Sequence, residues 1–182
     1  MAQPERPLRA DAARNRARVL EAALEAFAAD GLSVPIDEIA RRAGVGAGTV
    51  YRHFPAKEDL VAAVIADQMQ RIIDGGHALL EEGNPGEALF IFLRSAVEWS
   101  ATNRGLVDTL AGSGIEVNDT EQQFRDLLGE LLRAAQQAGT ARKDVGVADV
   151  KALMVGMQAI QSYNDDAAER LTDVVLDGLR AG

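Results

Sequence analysis

Cysteine is absent from the 182 residues, which excludes disulfides, thiol nucleophiles and sulfur-ligated metal sites. Histidine occurs only twice, at His53 and His77, leaving little from which to build a histidine-based triad or metal centre. Asp74, His77 and Glu81 share a helical spacing, but one histidine with two carboxylates is a weak ligand set, so no metal is expected. Phosphate loops and nucleophile–base pairings are also missing, so the chain reads as a non-enzyme with no cofactor. No apolar run reaches the roughly 18 residues of a membrane span. The opening MAQPERPLRAD carries arginines without the apolar stretch of a signal peptide. The expected compartment is the cytoplasm, with no membrane partner.

Aromatics make up only 4% of the chain, and no alternating β-branched run bounded by turns occurs, so an all-α fold is expected. At 47% hydrophobic and 26% charged, there is enough apolar material for a real core. The net charge of -9 is unevenly distributed. Residues 1–57 hold nine Lys/Arg against seven Asp/Glu (+2), while residues 58–182 hold ten against twenty-one (-11). Five arginines fall within residues 6–18. A basic end on an acidic body is the asymmetry expected where one end meets a polyanion.

The apolar periodicity predicts about nine helices. The first runs from Asp11 to Asp30, with Leu20, Ala23, Leu24 and Phe27 on one face and Gly31 closing it. Two short helices follow, Pro35 to Ala43 with proline at N1, and Ala47 to Phe54. Pro55 forces a stop. A longer helix runs from Ala56 toward Asp74, where Gly75-Gly76 is expected to end or kink it. Further helices are expected over Glu87–Asn103, Gly105–Ala111, Asn118–Ala138, Val147–Ser162 and Asp165–Leu179, with Gly112-Ser113-Gly114 as a joint. This divides the chain into residues 11–57 and a helical body, 58–182.

Residues 35–54 place a short helix, a tight glycine turn and a second short helix in succession, a helix-turn-helix. The turn at Gly44 holds the second helix steeply enough for its outer face to enter a major groove about 12 Å wide. Val50 and Phe54 are the inward residues of that helix; Ala47, Gly48, Tyr51 and Arg52 point outward, with Thr49 near its start. The small residues Gly46, Ala47 and Gly48 allow close approach to bases or phosphates, and a helix N-terminus favours an anion.

From Arg16 to Leu60 the sequence resembles the DNA-binding domain of the TetR family of transcriptional regulators. The matching pieces are Ala22-Ala23, Phe27, Gly31, Asp37-Glu38-Ile39-Ala40, Ala43-Gly44-Val45, Gly48-Thr49-Val50-Tyr51-Arg52-His53-Phe54 and Lys57–Leu60. The resemblance implies a three-helix DNA-binding domain ahead of a helical ligand-binding and dimerisation body. It further implies a homodimeric repressor that a small-molecule effector releases from double-stranded operator DNA. Thr49, Tyr51, His53 and Lys57 would meet phosphates, while Ala47, Gly48, Tyr51 and Arg52 would face base edges. Arg14 and Arg16 would reach a phosphate or the minor groove. Where the family often has a hydroxyl at the start of the second helix, this chain has Val34-Pro35, and Ser33 is the nearest candidate. Arg41 and Arg42 read as a solvated face.

The body carries no motif of comparable specificity. Apolar pockets between helices are where small ligands bind in all-α proteins, and Trp99, Phe92, Phe124, Met69 and Ile73 are the candidate lining for a small apolar or amphipathic effector. Symmetric DNA reading calls for two copies. The stripe on the last two helices supplies a candidate dimer interface: Leu153, Met157 and Ile160, then Leu171, Val175 and Leu179. A regulator answering to a protein partner fits the same residues, and a small helical enzyme fits them poorly. A cavity of a few hundred Å³ near Trp99 would favour the small-molecule reading.

Overall fold

The structure is a computed structural model that describes residues 5–105 and 118–182. The described residues form eight helices: α1 (Glu5–Asp30), α2 (Ile36–Ala43), α3 (Ala47–His53), α4 (Lys57–Glu82), α5 (Pro85–Thr102), α6 (Asn118–Ala138), α7 (Val147–Tyr163) and α8 (Asp165–Leu179). The fold is all-α with an N-terminal helix-turn-helix. Apart from Gly105, the short helix and glycine joint expected over 105–114 lie outside the described residues.

Two compact units divide the chain. The described part of the first is residues 5–68 with Arg104 and Gly105; that of the second is residues 69–103 and 118–182. The division falls inside α4, which runs without a break from Lys57 to Glu82.

In the first unit α1 begins at Glu5, six residues before the expected Asp11. Pro7 does not prevent this, since it stands in the first turn, where backbone N–H groups have no intrahelical partner. Gly31, at φ 75°, closes the helix and donates to the Phe27 carbonyl at 3.1 Å. Pro35 is the N-cap of α2 and not its first helical residue: it is extended, at φ -68° and ψ 147°, and its carbonyl accepts from the Glu38 and Ile39 amides. Val19, Ala23 and Phe27 of α1 are buried together with Ile39 and Ala40 of α2 and Val50 of α3.

In the second unit Leu89 and Leu93 of α5 are buried with Leu127, Leu128 and Leu131 of α6 and Met157 of α7. Burying each such side chain contributes roughly 1.5–3 kcal/mol. Gly75-Gly76 does not end α4, as its sequence suggested. A Cβ at Gly76 would stand 2.5 Å from Leu127 Cδ2 and 3.0 Å from Phe92 Cε2, so this glycine permits close packing within a continuous helix. Asn84 caps α5, its side chain accepting from the Gly86 amide at 3.0 Å, and Asn164 caps α8 through the Ala167 amide at 3.2 Å. The chain end is tied back where Arg142 N–H donates to the Leu179 carbonyl and Ala181 N–H to that of Thr140. The Arg180 guanidinium lies 4.0 Å from the Phe90 ring centre and bonds both Glu87 oxygens. None of the described helices is long and apolar enough to cross a membrane.

Candidate nucleic-acid interface

The turn between α2 and α3 is built by glycine conformation. Gly44 is left-handed, at φ 66° and ψ 36°, a region costly for residues with a Cβ. Its amide donates to the Arg41 carbonyl at 3.1 Å, and the next amide, of Val45, reaches back to Ala40 at 3.0 Å. This pair of bonds ends α2 abruptly. The Thr49 amide then bonds the Gly46 carbonyl at 2.8 Å and starts α3.

Once α3 is so placed, burial sorts its residues. Val50 and Phe54 are buried, and the Phe54 amide closes the helix on the Val50 carbonyl at 2.8 Å. Gly48, Tyr51, Arg52 and His53 are exposed, while Ala47 and Thr49 are half-buried. Tyr51 leaves 47% of its surface open. Gly46 and Ser33 are exposed, and Lys57 is half-buried at the start of α4.

The cations around this face fall into two groups. Arg52 and Lys57 have no ion-pair partner among the described residues, and Arg16 is exposed with its guanidinium 5.7 Å from the Phe54 ring centre. Arg14 is paired with Asp11 one turn earlier on α1. Arg41 and Arg42 are fully engaged: both bond Glu38, and Arg42 also reaches Asp30 at 2.6 Å. Their hydrogen bonds, that of Arg41 first, hold the Glu38 carboxyl down at about 2. A carboxylate with a depressed value stabilises the fold above its ordinary value near 4.5 and loses that contribution as pH falls toward 2. The urea midpoint of wild type should therefore exceed that of Glu38→Gln at neutral pH, with the gap closing as pH falls below 4.5. An unchanged gap at pH 3 would contradict this.

The second unit distributes the other candidate residues differently. Phe92 and Phe124 pack on each other with ring centres 5.9 Å apart, and Ile73 joins the same core. Met69 and Trp99 are half-buried. The described grooves and cavities are lined by other residues. Of the stripe proposed for a second copy, Met157 (0% exposed) and Leu179 (1%) are taken up by the core of their own chain. Leu153, Ile160, Leu171 and Val175 are half-buried. The most open apolar positions of these helices are Tyr163 (93%), at the end of α7, Val174 (62%) and Val155 (54%). Ala148, Ala152, Gly156 and Ala159 extend the open stripe along α7, and Gly178 extends it on α8. His77 lies 3.7 Å from Glu130, and no metal-binding group of three His, Asp or Glu occurs among the described residues.

A model of bacterial regulatory proteins of the tetR family matches residues 19–64. A second, described as the C-terminal domain of SbtR-like transcriptional regulators, matches residues 84–181. The chain is similar to a solved TetR regulatory protein from Mycobacterium vanbaalenii, at 55% identity and TM-score 0.81, covering 96% of this chain and 100% of that one. It is also similar to a TetR regulator from Streptomyces coelicolor, at 37% identity and TM-score 0.76, covering 91% and 98%. The regulator SrpR of Pseudomonas putida is 47% identical over 60 residues, a match of 32% of this chain to 28% of that protein. The chain thus spans less than a third of SrpR.

Proposed function

The chain belongs to the TetR family of DNA-binding transcriptional regulators, and from that premise we propose that it is a homodimeric repressor. The observation that carries this reading is the outward face of α3, where Gly48, Tyr51 and Arg52 are open while Val50 and Phe54 anchor the helix. Ala47, Gly48, Tyr51 and Arg52 face base edges in the major groove. Thr49, Tyr51, His53 and Lys57 hold phosphates, joined by Ser33 and by the backbone at Gly46. Arg14 and Arg16 reach the phosphates or the minor groove. Phosphate neutralisation supplies the affinity, and base contacts supply the sequence preference. Such a protein works in the cytoplasm, where the DNA is.

The dimer forms through α7 and α8. Gly156 and Gly178 stand inside helices, where glycine costs up to about 1 kcal/mol relative to alanine. Open space lies where a Cβ would be at either, so neither glycine is required by its own chain. Close approach of a second copy's helices explains both. A groove of about 730 Å³ lined in part by Leu153, Val174 and Val175 runs between α7 and α8 beside them. Leu171 and Ile160 back this surface. Effector binding in the second unit, for which Met69, Trp99, Phe92, Phe124 and Ile73 remain the candidate contacts, biases the spacing of the paired recognition helices and releases the operator.

Fluorescence anisotropy on an operator duplex separates positioning from reading. Lys57→Ala should weaken all duplexes about equally and lower the salt slope by about one unit. Arg52→Ala should cost roughly 1–3 kcal/mol and relax preference at one position per half-site, as loss of an arginine–guanine pair does. Arg41→Ala is the control: its guanidinium is already held by Glu38, and affinity should change by less than about twofold. If Arg52→Ala selects the same sequences as wild type, Arg52 does not read bases.

A further inference from the structure

The core of the second unit is apolar along most of its length and polar at one end. There α5 buries Ser100 and Asn103, α7 brings Gln161 to 3.5 Å from the Ser100 hydroxyl, and α8 buries Thr172. A cavity of about 260 Å³ opens at this end, lined by Arg94, Val97, Glu98, Gln161, Glu169 and Thr172. We propose that this cavity is a binding site for a small aliphatic ammonium compound. Glu98 and Glu169 would receive the ammonium group and the Thr172 hydroxyl a second polar end.

Three observations support this assignment. Thr172 is only 4% exposed, and its hydroxyl makes no hydrogen bond among the described residues. No fully enclosed side-chain polar atom lacks a partner among the described residues, so this hydroxyl keeps an opening, and Thr172 lines the cavity. A hydroxyl held this way has lost nearly all its water and gains from a ligand that restores the bond. The second observation is charge. Arg94 is bonded to Asp173, while Glu98 and Glu169 have no ion pair of their own among the described residues. Three carboxylates share one guanidinium, leaving an excess of two negative charges that a cation would offset. The third is size. At about 260 Å³ the space lies below the usual range for drug-sized ligands, about 300–1,000 Å³, and suits a short chain lying along Val97.

This site is distinct from the apolar region at Met69 and Trp99. It also faces away from the surface proposed for the dimer, because Thr172 and Val174 are about 200° apart on α8 at the helical repeat. Its test therefore reads binding directly and is independent of DNA. Titration calorimetry on the full chain would use 1,4-diaminobutane as the probe at low ionic strength, where exposed carboxylates are least screened. The diol of the same length serves as the uncharged comparison. One saturable site per chain is expected for the diamine and none for the diol. Glu98→Gln with Glu169→Gln should weaken binding about tenfold or more, and Thr172→Val, which keeps the volume, about fivefold. Both glutamates are exposed, so the double variant should keep the wild-type melting temperature. Absence of a saturable site overturns the proposal, as does equal binding of the diol or undiminished binding by the double variant.

Discussion

If α7 and α8 build the proposed dimer, Val174→Asp should give monomers and lower operator affinity about a hundredfold or more. Val174 is 62% exposed in the single chain, so a carboxylate there costs the isolated fold little. In a two-fold interface the same position meets its own symmetry mate or close neighbours. Two carboxylates would then be desolvated together without cations to answer them, which costs several kcal/mol. A monomer engages one half-site only and loses the gain in effective concentration that links the second half-site to the first. Sedimentation velocity and anisotropy on one duplex measure the two effects. Val174→Ala should leave both nearly unchanged. A Val174→Asp protein that remains dimeric would show that the dimer is built elsewhere.

Phe54→Ala should abolish operator binding while the second unit stays folded. Phe54 is buried at the C-terminal end of α3 and carries the Arg16 guanidinium over its ring. Truncating a buried phenylalanine costs about 3–5 kcal/mol. Within α3 the only other buried residue is Val50, so the helix has no second large anchor to hold it in place. Hydrogen exchange should show lost protection over residues 19–54 and unchanged protection in α5 and α6. Wild-type affinity in this variant would mean that Phe54 does not set the position of α3.

Residue type and spacing made the helix-turn-helix legible because its demands are local. Pro35, Gly44 and Pro55 each limit the backbone by themselves, and the alternation of Val50 and Phe54 with Tyr51 and Arg52 assigns the faces of a helix barely two turns long. Local rules misled where a tertiary neighbour decides. Gly75-Gly76 has the form of a helix stop, yet Leu127 and Phe92 occupy the space over Gly76, and nothing near it in sequence announces that. The last two helices are apolar on more than one face. Periodicity therefore offered Met157 and Leu179 to a partner when their own chain buries them, and did not single out the open Val155 and Val174. The polar cavity of the second unit was not legible at all, because Glu98, Gln161 and Thr172 come together only through the packing of three separate helices.

Selection of the 182-residue chain on a library of randomised duplexes tests the central claim most directly. The expected result is strong enrichment of an inverted repeat, its half-sites centred about one helical turn or a multiple apart. Two chains should bind each repeat, with an affinity that falls by orders of magnitude between about 50 and 200 mM salt. No enrichment over random DNA, or an unrepeated motif bound by single chains, would contradict it.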